Sequence, residues 1–147
     1  MTDSTFQVSD LKELKDRYDE LMSKVKAFIE TTDYPSIKAH MIQYVNSCSV
    51  LESELITLKS EVSLTKVMAN VDYKVNLKSA YNNSIRFDQI QKWQSDIVVH
   101  GESSVVDSKK VFDLLESMYT IMDEYKWLLK SSRELAANYY KFLSGDE

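Results

Sequence analysis

At 147 residues the chain is long enough for one domain, yet it holds only 2 Gly and 1 Pro. Folds with many tight connections need residues that tolerate positive φ or preset φ near −65°, so sandwiches, barrels and doubly wound sheets are excluded. A net charge of −5 weighs against a polyanion binder, but residues 1–34 carry eight acids and five bases whereas residues 64–94 carry five bases and two acids.

The hydrophobic fraction of 44% suits a packed core, and 1 Cys cannot staple a fold, which fits a reducing compartment. Met1-Thr2-Asp3-Ser4 offers neither the basic start nor the apolar stretch of a secretion signal. No apolar run exceeds three residues, against about twenty for a membrane span. These features predict an all-α cytoplasmic protein without a membrane partner.

The first predicted helix covers 8–32. Asp10 and Glu13 resemble a capping box, and Leu11, Leu14, Tyr18, Leu21, Val25 and Phe28 recur at alternating intervals of three and four, a heptad seam. Asp33 as N-cap and Pro35 in the first turn open a second helix over 33–82. Its seam reads Ile37, Met41, Tyr44, Cys48, Leu51, Leu55, Leu58 and Val62, then changes phase to Leu64, Met68, Val71 and Val75, as at a stutter. Such a helix is roughly 70–75 Å long, whereas a compact globule of this size is about 40 Å across. Either it breaks, or other copies cover it.

A short helix over 86–100 places Ile90, Trp93 and Ile97 on one face with Gly101 as the residue just past its end, although Ile97-Val98-Val99 also suits an extended stretch. The last helix, 104–143, has Ser104 as N-cap and a wide apolar stripe. Leu115, Met118, Met122, Tyr125, Leu129, Ala136 and Tyr139 lie along it and are the expected assembly surface of a homo-oligomer. The predicted fold is a single helical domain of long heptad-patterned helices, a bundle or coiled coil assembled as an oligomer.

Catalytic and metal-binding patterns are missing. Two glycines 44 positions apart cannot form a phosphate loop, and one Cys with two His (His40, His100) cannot form a zinc set. Asp96, His100 and Ser103 or Ser104 mimic a triad, but they read as a surface pair beside a loop, and Cys48 reads as a core residue. No enzyme, metal or cofactor is expected. One surface is more informative: with Leu64, Met68, Val71 and Val75 on one side of the helix, Lys66, Asn70, Tyr73, Lys74 and Tyr81 fall opposite with Lys78 on the flank. Lysines interleaved with tyrosines suit single-stranded nucleic acid, ammonium groups following phosphates while rings stack on bases. The competing reading is a face packed against protein.

Three stretches carry a family likeness. Leu58 to Tyr73 ends in Ala69-Asn70-Val71-Asp72-Tyr73; Lys92-Trp93-Gln94-Ser95-Asp96 precedes a short loop and Asp107; and Lys130-Ser131-Ser132-Arg133 is followed by Phe142-Leu143-Ser144-Gly145. Over about residues 50–145 the chain resembles the small helical recombination mediators of tailed phages, the UvsY family. Met68 and Asn70 stand where that family often has Lys or Arg before its Asp-Tyr, leaving Lys66, Lys74 and Lys78 as substitutes. The resemblance implies a non-catalytic DNA recombination accessory that binds single-stranded DNA and helps load a RecA-like recombinase against a single-strand-binding protein. The alternative is an oligomeric coiled-coil structural or interaction protein, a virion component or inhibitor, with no nucleic-acid role.

Overall fold

A computed structural model describes residues 8–87 and 99–143, and these contain no strand. Helix α1 is Val8–Thr31, α2 is Tyr34–Ala39, α3 is Met41–Phe87 and α4 is Ser103–Leu143. A helical turn over 99–101 precedes α4. The all-α expectation holds.

Helices α3 and α4 form an antiparallel pair along most of their length. Arg133 meets Glu52 near one end, Lys59 pairs with Asp123 in the middle, and Asn76 Nδ2 donates to Ser108 Oγ at 2.5 Å towards the other. Helix α1 lies antiparallel to α3, with Arg17 2.5 Å from Glu61 and Lys24 3.3 Å from Glu54. The long helix is thus clasped by its own chain on two sides, an outcome outside the choice between breaking and covering by other copies. It also breaks once: His40 is a turn between α2 and α3, with neither Gly nor Pro at that point, and His40 O accepts from Tyr44 N at 2.9 Å to start α3.

The main core is a three-helix interior. Leu14, Tyr18, Leu21, Met22 and Val25 of α1 meet Cys48, Leu51, Leu55, Leu58 and Val62 of α3 and Leu115, Met118, Met122 and Leu129 of α4. The expected assembly surface is therefore corrected. Leu115, Met118, Met122, Leu129 and Ala136 are buried inside one chain, with Tyr125 and Tyr139 partly buried beside them, because α1 and α3 occupy the stripe that seemed to need another copy. Oligomeric state is not decided by these residues.

Beyond the reach of α1 the interior shrinks. A second cluster of Ala80, Val99 and Val105 is flanked by Tyr73, Leu77 and Tyr81. No stutter separates the two clusters. The inward positions of α3 run on in phase from Leu58 and Val62 through Ala69, Tyr73 and Ala80, and it is the bulky Leu64, Val71 and Val75 that point outward.

Several predicted ends shift by local chemistry. Asp10 sits inside the first turn of α1 rather than capping it, and α3 runs past the expected end at 82 to Phe87. Glu102 O accepts from Val106 N at 2.9 Å, so α4 starts at Ser103, one residue before the expected start. Gly101 belongs to the preceding turn, and no atom stands within 4 Å of where its Cβ would be, so close approach does not demand glycine there. Most of the helix expected over 86–100, with Ile90, Trp93, Asp96 and Ile97, lies outside the described residues.

Candidate nucleic-acid interface

The residues expected to share one exposed Lys/Tyr face are divided by the fold. Lys66, Asn70, Tyr73 and Tyr81 are half-buried, with Lys66 and the tyrosines turned towards α4, because they lie on or beside the inward seam. Lys74 and Lys78 are exposed on the outer side of α3, with Leu64, Val67, Val71 and Val75. The apolar and polar sides of this segment are largely the reverse of that expectation: small Ala69 and Ala80 take the inside.

A different set of cations and rings comes together along the α3/α4 groove. Lys66 Nζ lies 5.7 Å from the Phe112 ring centre and 5.3 Å from that of Tyr119. Two helical turns back along α3, Lys59 Nζ sits 4.8 Å from the Tyr119 ring centre and pairs with Asp123. Lys126 Nζ is 3.6 Å from the same carboxylate and 5.0 Å from the Trp127 ring centre, and Lys130 Nζ is 4.6 Å from that ring. Four ammonium groups thus follow one another past Phe112, Tyr119 and Trp127. The spacing on α4 that builds this strip, Tyr119, Asp123, Lys126, Trp127 and Lys130, is ordinary i,i+3/i+4 neighbourhood. It was legible in sequence, but only pairing with α3 adds Lys59 and Lys66.

Electrostatics hold the strip in place. The hydrogen bond from Lys59 keeps the Asp123 carboxyl below its usual range and pushes the lysine up. At the adjoining end Arg133 Nε donates to Glu52 Oε2 at 2.7 Å and Nη2 to Oε1 at 3.3 Å, a two-pronged pair that neutralises a buried carboxylate. The Glu52 bond raises the Arg133 guanidinium further.

Nothing in the described residues assembles a nucleophilic centre. His100 is exposed, edge-on to Tyr81 with ring centres 6.3 Å apart; Ser103 and Ser104 are exposed; Asp96 lies outside the described residues. Cys48 is fully buried, and burial raises its thiol pKa, as suits a packing residue. Among the described residues no group of three or more His, Cys, Asp or Glu could hold a metal ion, and no helix is long and apolar enough to cross a membrane. No family model, curated protein or solved structure matches the chain.

Proposed function

We infer that the protein is a non-catalytic accessory that binds single-stranded nucleic acid along the Lys59, Lys66, Lys126 and Lys130 strip. One observation carries the reading: Trp127 is 51% exposed with a lysine on either side of it along α4. A half-open indole gives a base a surface to stack on, while flexible ammonium groups follow the phosphates whatever the sequence. The fuller role, loading a RecA-like recombinase onto DNA against a single-strand-binding protein, rests on the UvsY resemblance alone. Titrating labelled single-stranded DNA at two salt concentrations tests the binding: four phosphate contacts give a log–log slope of about −3. Absence of binding at low salt removes this reading.

A second reading, a helical structural or interaction protein with no nucleic-acid role, is favoured by the packing of Tyr73, Leu77 and Tyr81. The rings first assigned to stacking on bases are occupied by protein. Lys59 and Lys126 are likewise engaged by Asp123. The same titration separates the two readings.

A further inference from the structure

The outer side of α3 carries a row of large aliphatic side chains that the described chain leaves open: Ile56 at 51% exposure, Leu64 at 65%, Val67 at 60%, Val71 at 49% and Val75 at 46%. At 100° per residue they fall within an arc of about 100°, one continuous face over roughly 30 Å. Single exposed aliphatics are ordinary on any protein, but a contiguous row on one helix marks an interaction surface.

The two edges of the row differ in charge. Beside Leu64 runs a groove walled by Asp10 and Glu13 of α1 and by Glu61, which pairs with Arg17. Beside Ile56 runs a groove walled by Lys59 and Lys126, and Lys74 continues that side along α3. The row is therefore bordered by a net negative edge, Asp10, Glu13 and Glu61 against Arg17, and by a net positive one, Lys59, Lys126 and Lys74 against Asp123.

We propose that this row seats a second copy of the chain, with the two α3 helices side by side and running in the same direction. The edge charges choose both the occupant and the direction. A two-fold axis along the helices lays the acidic edge of each copy against the basic edge of the other, twice over. A two-fold axis across them brings acidic edge to acidic edge and basic to basic. Complementary edges of this kind fix register and suppress the wrong pairing. Lys78 ends the row, where its long stem carries the ammonium out to water. A standard interface covers about 800 Å² per partner, which the row and the grooves on its two edges would supply together. The basic edge shares Lys59 and Lys126 with the strip proposed for nucleic acid, so the pairing is tested on protein free of nucleic acid.

Single cysteines at Leu64, Val71 and Val75 test the geometry, since Cys48 is fully buried and does not compete. Under mild oxidation Val71→Cys and Leu64→Cys should form disulfide-linked dimers more readily than Val75→Cys, because in a parallel pair the positions near the midline of the row face their own copies while Val75 lies at its edge. Light scattering should give the unmodified protein twice the chain mass of 17.1 kDa. Leu64→Glu with Val71→Glu should weaken self-association at least tenfold while leaving helical content unchanged, both residues being outside the core. Three results overturn the proposal: a 17.1 kDa particle at tens of micromolar, a double-Glu variant as dimeric as the parent, or cross-linking at only one of the three positions.

Discussion

The two halves of the α3/α4 pair obey the same heptad spacing and fill it with opposite kinds of residue. Where α1 lies alongside, the inward seam of α3 is Cys48, Leu51, Leu55, Leu58 and Val62. Beyond α1 the inward positions are Tyr73, Leu77 and Ala80, with Ala69 at the junction, while Val71 and Val75 stand outside. Three helices enclose a volume that large side chains must fill, whereas two helices meet along a line that small residues and flat rings close better. Identical periodicity therefore encodes two interiors, and residue size distinguishes them.

The largest effects should separate the halves. Leu55→Ala or Met122→Ala in the three-helix interior should cost about 2–5 kcal/mol in denaturant unfolding, whereas Val71→Ala on the open face should stay within about 0.5 kcal/mol for the monomer. Equal losses at Leu55 and Val71 would put the outer row inside a core. Next comes Arg133→Met, which strands the Glu52 carboxylate at 7% exposure and should cost about 3 kcal/mol, while Glu52→Leu with Arg133→Met should be nearly neutral. A double variant as unstable as the single one would mean the pair does more than neutralise itself.

The sharper contrast lies in the two-helix half. Ala80→Leu adds apolar volume yet should destabilise by about 1–3 kcal/mol, because Ala80 at 2% exposure leaves no room against Val99 and Val105. On the strip, Trp127→Ala should lose about 1–3 kcal/mol of single-stranded DNA affinity with an unchanged salt slope. Lys126→Glu with Lys130→Glu should instead flatten that slope by about 0.7 per lost contact.

The smallest effect is a pH dependence. Since Lys59 holds the Asp123 carboxyl low, the stabilisation it brings is complete above the usual carboxylate pKa of about 3.9 and is lost as pH falls through the depressed value. The stability difference between the parent and Asp123→Asn, measured by denaturant unfolding from pH 7 downward, should therefore close below about pH 4. A difference that persists there would assign it to packing.

The all-α character, the α1 seam and the long C-terminal stripe could be read from residue order, because scarce Gly and Pro and a three-four apolar rhythm act locally. Leu14, Tyr18, Leu21 and Val25 are buried as that rhythm requires. What the stripe on α4 packs against could not be read, since Met118 and Met122 satisfy a neighbouring helix of their own chain as well as they would another copy's. Nor could the inside of α3 beyond Val62: side-chain size favours Leu64 and Val71 for the core, yet the seam of Leu58 and Val62 runs on in phase through small Ala69 and leaves the larger residues outside. The cation and ring strip likewise took shape only when an antiparallel partner set Lys59 and Lys66 beside Tyr119. Sequence periodicity sets which residues share a face; which face is enclosed depends on how many helices surround it, and that is a property of the packed chain.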